Sequence, residues 1–382
     1  MCVRFAPISI KSDSWGFIAQ WLMQAECPAC SGRAYMAIHQ VLADNTALSA
    51  DGVQPMDVNS TKKPLKWAEL GFQYIKTDFR YSAVFQDGGW LPGRLISEEN
   101  MLIHEGAPSL HYAQQCFEGM KAQTTKDGRV VLFRPTLNSE RMNRTASRLL
   151  MPEVPQALFI AAVEEAVRAN YGWIPPYGSG AALYIRPMLI GVGENLGLKP
   201  AQSFEFRVFV SPVGPYYKSA GLAAISLAVS DFDRAAPQGT GSYKAGANYA
   251  GGLLATLKAQ ELGASEALYL DSASHRFIDE AGSANIVIAL KSGELVTPSS
   301  QAILPSITRR SVMEIASQQF EMPTQERAID LRAEFDSFAE MSACGTAAVL
   351  SPVGRVYFDS KWHIVNGDGL TVGPVMQKLY DS

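Results

Sequence analysis

Apolar residues at positions 250, 253, 254 and 257 follow the i, i+3, i+4, i+7 spacing of an amphipathic helix, and Gly263 stands where that helix would end. Upstream, Pro135 opens a second helical pattern that runs to Met151 and closes at Pro152, with Met142, Ala146, Leu149 and Leu150 on one face. A third helix is expected over 155–170 and a fourth over 307–320. Strands are expected over 74–86, turning at Asp87-Gly88-Gly89 into a short return that ends at Pro92-Gly93, and over 130–133 after the Asp127-Gly128 turn. Further strands fall at 181–191, 204–210, 223–229, 266–270 and 284–290, and a last set of short strands runs to the end. The mixture lacks a strict βαβ rhythm and shows no internal repeat, so the fold class is α+β rather than a doubly wound sheet.

The patterning also divides the chain. Residues 1–64 carry no sustained periodicity, and 48–64 are polar and turn-rich, so this stretch is expected to be an appended, disordered segment. Ser211-Pro-Val-Gly-Pro215 interrupts the strands, which places a small α+β domain at 65–212, an interdomain loop at 213–222 and a larger domain at 223–382. A length of 382 residues suits two domains.

Composition narrows the partners. With 47 % hydrophobic and 18 % charged residues the chain is ordinary for a globular protein, and its net charge of −4 argues against nucleic acid or an anionic membrane. No apolar run approaches the ~20 residues that span a bilayer, and 16–25, interrupted by Gln20 and Gln24, is a poor signal peptide. Five cysteines, at 2, 27, 30, 116 and 344, are few and odd in number, which points to a reducing, cytoplasmic compartment. Cys27-Pro-Ala-Cys30 lacks the second ligand pair of a zinc site, with only Cys2 and His39 nearby, so no metal is expected.

The candidate chemistry centres on Lys244, set among Gly239, Gly241 and Gly246 just before Tyr249 and the first of these helices. An isolated loop lysine is ordinarily solvated, yet one held in a cleft can lose its proton and attack a carbonyl. Two glycine clusters are not nucleotide sites. Gly191, Gly193 and Gly197 have the wrong spacing for a dinucleotide fingerprint, and no Ser or Thr follows Lys244 as in a P-loop. Ser306 reads as an N-cap that leaves the Ile307 and Thr308 amides unpartnered, either an ordinary capped helix or a phosphate seat. The Gly345-Thr346-Ala347 turn offers a second set of amides and a hydroxyl. Arg141 borders the apolar face of its helix, as a counter-charge or as a snorkelling surface arginine. Glu280, between apolar strand segments, calls for a charged partner such as a protonated ring nitrogen, with Asp279 facing the other way. Tyr184 and Arg186 share one face of a strand and would set the polarity of a site for carboxylate-bearing substrates, or serve structure alone.

Eight segments in order carry a resemblance. They are LHYAQQCFEGMK at 110–121, LFRPTLNSERMNR at 132–144, LYIRPMLIG at 183–191, SPVGPYY at 211–217, DRAAPQGTGSYKAGANY at 233–249, DEAGSANI at 279–286, LPSITRR at 304–310 and ACGTAAVLSPVG at 343–354. From about 65 to 380 the chain resembles the branched-chain amino acid aminotransferases, fold-type IV enzymes of pyridoxal 5′-phosphate built like D-amino acid aminotransferase. The resemblance implies that Lys244 binds the cofactor covalently and moves the proton. It further implies that Glu280 keeps the pyridine nitrogen protonated and that Tyr249 bonds the ring's phenolate oxygen. Arg141, the Ile307 and Thr308 amides and Thr346 would hold the phosphate, with Ser283 nearby where some relatives carry threonine. Phe117, Tyr184, Tyr216 and Ala347 would form the substrate pocket, Arg186 would take the side-chain carboxylate of glutamate, and Tyr112 would come from the neighbouring subunit of a homodimer. The CxxC that members related to vertebrate enzymes carry after the Gly-Thr turn is absent, since Ala347 or its neighbours and Leu350-Ser351 stand there, so no thiol switch is expected at that place. Relatives continue for one more short segment beyond 382, so the packing of the carboxyl terminus is expected to differ. The expected reaction is reversible amino transfer between leucine, isoleucine or valine and 2-oxoglutarate. The alternatives are a D-amino acid aminotransferase, an aminodeoxychorismate lyase and a non-catalytic binding protein on the same fold.

Overall fold

The computed structural model describes residues 62–216 and 222–382. The described residues belong to one compact unit, and all but the last three residues of the 1–64 segment, with Cys2, the Cys27–Cys30 pair and His39, lie outside them.

The first sheet comprises β1 (Arg80–Gln86), β2 (Gly89–Trp90), β3 (Arg94–Ile96), β4 (Gln115–Phe117), β5 (Met120–Thr124), β6 (Val130–Leu132), β7 (Ala182–Val192) and β8 (Ser203–Val213). Its order is β2-β1-β8-β7-β5-β6, with β3 on β1 and β4 on β7, and every pairing is antiparallel. The helices Pro135–Arg148 and Gln156–Ala169 pack together, and the second lies on β1 and β8, where Phe159 stacks on Phe206 at 5.8 Å between ring centroids.

The second sheet comprises β9 (Ile225–Val229), β10 (Glu266–Leu270), β11 (Ile278–Ala281), β12 (Asn285–Leu290), β13 (Leu295–Pro298), β14 (Thr324–Arg327), β15 (Phe338–Gly345), β16 (Val349–Phe358) and β17 (Lys361–Ile364). The order is β11-β10-β9-β16-β15-β12-β13-β14, with β17 on β16. Three pairs, β9–β10, β9–β16 and β13–β14, are parallel. Side chains of a strand alternate between its faces. In β12, Ile286 and Ile288 therefore enter one core cluster with Leu227, Leu268 and Val356, whereas Val287 and Ala289 enter another. That second cluster lies beneath the helices Ile307–Phe320 and Pro374–Tyr380.

The sequence reading gave no strand for β3, β4, β5 or β13 and ended at 210 the strand that β8 carries through Ser211-Pro212 to Val213, and three further elements depart from it. The first strand starts at Arg80, leaving 74–79 without regular structure. The chain closes with the helix Pro374–Tyr380 rather than a strand; the Glu340 carboxylate accepts from its Val375 and Met376 amides at 2.9 and 2.8 Å. The helix after the lysine is broken at Gly251-Gly252 into Ala247–Ala250 and Leu253–Glu261, and it buries Ala255 and Ala259 while Leu253, Leu254 and Leu257 stay exposed. Small alanines let this helix approach Ala228, Ala267 and Tyr269 closely, so the bulky stripe is left outside.

Candidate active site

Lys244 belongs by sequence to the second half of the chain, but its backbone is bonded to the first sheet. Phe117 N donates to Lys244 O and Gly246 N donates to Gln115 O, each at 3.3 Å, and Cys116 and Ala245 form an antiparallel bridge. Lys244 N donates to Thr145 Oγ1 at 3.1 Å. Gly246 faces the first sheet, where a Cβ would lie 3.0 Å from the Gln115 side chain, and Gly241 lets the same loop press on residue 302, where a Cβ would lie 2.5 Å from the Ala302 carbonyl. The amine of Lys244 donates to Tyr249 Oη at 2.9 Å and lies 4.9 Å from the centroid of the Phe117 ring.

Beside it, β11 presents Glu280, whose carboxylate is almost wholly buried. Arg234 Nε lies 2.6 Å from Glu280 Oε1, and Asn285 Nδ2 donates to Oε2 at 2.9 Å. Burial pushes this carboxyl up to about 7, against the Arg234 and Lys244 charges that pull it down. The sequence reading gave Glu280 a prospective cationic partner but missed Arg234, which stands 46 positions away in the DRAAPQ segment.

Arg141 is not a snorkelling surface residue. Its Nε and Nη2 donate to Glu118 Oε1 and Oε2, each at 2.7 Å, and Nη1 donates to Pro305 O at 2.9 Å. Glu118 also accepts from Asn138 Nδ2 at 2.8 Å. Burial raises the Glu118 carboxyl, but Arg141, Lys244 and Asn138 outweigh it and hold the group below the ordinary carboxylate range. Three of five guanidinium donors are thus engaged, which leaves two for a ligand. Glu118 was missed by the sequence reading although it lies within the FEGMK segment.

Ser306 caps its helix as expected, its Oγ accepting from Arg309 N at 3.1 Å. The Ile307 and Thr308 amides occupy the first helical positions, where no intrahelical acceptor exists. In the turn between β15 and β16, the Thr346 and Ala347 amides donate to no described residue. On β7, the Arg186 guanidinium lies 4.8 Å from the Phe117 ring and 5.3 Å from the Tyr184 ring, and its Nε has no hydrogen-bond partner. Ser283 Oγ donates to Tyr216 Oη at 3.2 Å, and Phe72 packs edge-on against both Tyr184 and Tyr216.

A cavity of about 350 Å³ brings these groups together: Phe117, Arg141, Tyr184, Arg186, Tyr216, Lys244, Tyr249, Glu280, Ser283, Thr346 and Ala347 all line it. Ile307 and Thr308 stand at its edge behind Ser306 and do not line it. Tyr112 is exposed, lies outside this cavity and donates to Leu196 O at 2.6 Å. A larger groove of about 710 Å³ runs between the helices Pro135–Arg148 and Ile307–Phe320. It has no comparable chemistry, because Arg309 and Arg310 there are already paired with Glu326 and Glu314.

The chain resembles known proteins at every level. The branched-chain-amino-acid aminotransferase of Haemophilus influenzae is 50 % identical over 84 % of this chain and 94 % of its own length. That of Helicobacter pylori is 44 % identical over 83 % and 92 %. Among solved structures, the Escherichia coli branched-chain amino acid aminotransferase superposes with a TM-score of 0.65 at 26 % identity, covering 80 % of this chain and 92 % of that one. The T.th. branched-chain amino acid aminotransferase with pyridoxamine 5′-phosphate gives 0.66 at 26 %, covering 80 % and 93 %. Residues 115–356 match the family described as amino-transferase class IV, and with relatives this similar over this much of its length the chain belongs to that family.

Proposed function

We propose that this protein transfers the amino group between leucine, isoleucine or valine and 2-oxoglutarate, with pyridoxal 5′-phosphate as cofactor. The observation that carries this reading is the convergence on one cavity of an amine, a buried carboxyl pushed up to about 7, a guanidinium with donors to spare and the unpartnered Thr346 and Ala347 amides, with the Ile307 and Thr308 amides next to the Ser306 that lines it. The residues suit the cofactor. Arg141 keeps two free donors, the Ile307 and Thr308 amides and the Thr346 hydroxyl add more for a phosphate, and Glu280 offers a carboxyl for a ring nitrogen. Ser283 and Tyr216 close the cavity on that side.

When bound, the cofactor supplies an aldehyde that takes up an amine and a ring that withdraws electrons from the carbon beside it. In this reading Lys244 Nζ would hold the cofactor through its aldehyde and, as a free amine, would take up the proton that leaves the substrate Cα and deliver it to the former aldehyde carbon, the reverse transfer running the same way backwards. Tyr249 Oη, 2.9 Å from Nζ, orients that amine. Glu280 holds a proton at the ring nitrogen. Phe117 and Tyr184 form apolar walls for a branched side chain, the Thr346 and Ala347 amides receive the α-carboxylate, and Arg186, its Nε unpartnered, receives the second carboxylate of glutamate. We further propose a cytoplasmic homodimer in which Tyr112 serves the neighbouring subunit's cavity, and a small domain at 65–212 joined through 213–222 to a larger one at 223–382. Among the described residues no helix is long and apolar enough to cross a membrane.

A panel of amino donors with 2-oxoglutarate as acceptor tests the assignment. Leucine, isoleucine and valine should be turned over, and Lys244→Ala should abolish turnover while leaving non-covalent cofactor binding. Activity confined to D-alanine, or retained in Lys244→Ala, would overturn it.

A further inference from the structure

A further, half-buried cation, Lys121, stands outside the roles assigned above. It lies on β5 directly opposite Tyr184 of β7. Residues paired across antiparallel strands project to the same face, so its side chain rises beside the Tyr184 wall of the site. Its amine crosses to the second sheet and donates to the Ala347 carbonyl at 3.3 Å, a contact between residues 226 positions apart. Among the described residues no Asp or Glu pairs with this charge. A cavity of about 490 Å³ surrounds Lys121, and no Asp or Glu is among its described lining residues. Burial pulls the amine down to about 8.

The turn that Lys121 grips is the one whose Thr346 and Ala347 amides are unpartnered. It is also strained, because Val349, where the chain re-enters β16, has a φ of 56°, a left-handed value that a β-branched residue adopts at a cost. A turn of this kind keeps its shape only when its surroundings hold it. The ammonium binds the Ala347 carbonyl, one peptide unit on from the Ala347 amide, and so places a positive charge at the turn that lines the cavity.

Resting on the aminotransferase reading, we infer that Lys121 is a positioning residue for substrate carboxylates: it fixes the Gly345–Ala348 turn through the Ala347 carbonyl and lends its charge to the anion that the turn amides receive. The role is electrostatic as well as steric. An apolar side chain of similar length preserves the packing and loses the function, whereas a guanidinium preserves both.

The experiment uses the holoenzyme and three proteins: wild type, Lys121→Met and Lys121→Arg. The substrate is the 2-oxo acid of leucine, whose carboxylate stays ionised from pH 7 to 9. Lys121→Met should raise KM for this acid about tenfold, the lower end for loss of a charge-assisted contact, with kcat within about twofold and cofactor content unchanged. Lys121→Arg should recover most of the loss. In wild type KM should climb as pH passes about 8 and the ammonium discharges, and in Lys121→Arg it should not. The titratable groups around Lys121 are the phenols of Tyr184 across the strand and of Tyr177, Tyr216 and Tyr380 on the cavity wall, all of which Lys121→Arg retains. An unchanged KM in Lys121→Met, or equal falls in kcat and kcat/KM with loss of cofactor, overturns the inference. If Lys121→Met does not fold, a wild-type KM that stays flat from pH 7 to 9 overturns it. Absence of transamination in wild type itself refutes the aminotransferase reading instead.

Discussion

Replacing Glu118 by glutamine removes one charge from the most enclosed ion pair of the site. The Glu118 side chain is 0 % exposed and that of Arg141 9 %, with both carboxylate oxygens bonded in parallel to the guanidinium. Glutamine keeps one acceptor but turns an amide NH₂ toward a guanidinium that can only donate, so the buried charge loses its neutraliser. Breaking one side of such a pair costs about 3–5 kcal/mol. For a folded unit of this size that is roughly 6–10 °C in Tm, at about 2 °C per kcal/mol. The measurement is urea and thermal unfolding of the cofactor-free protein, since a bound ligand would add its own stabilisation. The pair is also pH-linked. Because the folded carboxyl lies below its ordinary value of 4.5, its contribution is full above that pH and is lost as pH falls through the depressed value. A double variant, Glu118→Leu with Arg141→Met, should recover most of the stability while failing to retain cofactor, which separates folding from binding. A Glu118→Gln protein within about 1 kcal/mol of wild type would refute the reasoning, because a charge so enclosed cannot lose its partner that cheaply.

Two further outcomes are expected. A Cβ on Gly119 would lie 2.1 Å from Tyr184 Oη, so Gly119→Ala should displace that ring and raise substrate KM about tenfold while cofactor stays bound; an unchanged KM would remove Tyr184 from the substrate wall. Between pH 4.5 and about 7 the Glu280 carboxyl binds a proton in the folded chain and not in the unfolded one, so cofactor-free wild type should lose up to about 3 kcal/mol relative to Glu280→Gln as pH rises across that window. Stability curves that run parallel in the two proteins would contradict this.

Local signals carried far in this chain, and non-local ones did not. Pro135 and the Ser306 cap mark helix starts that the structure reproduces, because both act through their own backbone neighbours. Lys244 and Glu280 stood out because their residue types sit badly with the glycines and apolar strands around them. Glu118 and Arg234 did not stand out, since an ion pair made 23 or 46 positions along the chain leaves no periodic trace. The helix Pro374–Tyr380 escaped notice for a similar reason: seven residues are marginal alone, and the group that caps them comes from β15. Periodicity identified the leucines at 253, 254 and 257 as one face, but it does not say whether that face turns inward. The alanines on the opposite side decided it by allowing the closer approach.

The short backbone seam between residues 115–117 and 244–246 has a consequence for how the protein can be cut or rearranged. The Lys244 amine is encoded with one sheet while its backbone is bonded to the other, so neither sheet carries the whole cavity when expressed apart. Fragments meeting in the 213–222 region become competent only by re-forming that seam, and recovery of activity on mixing them reports the suture itself.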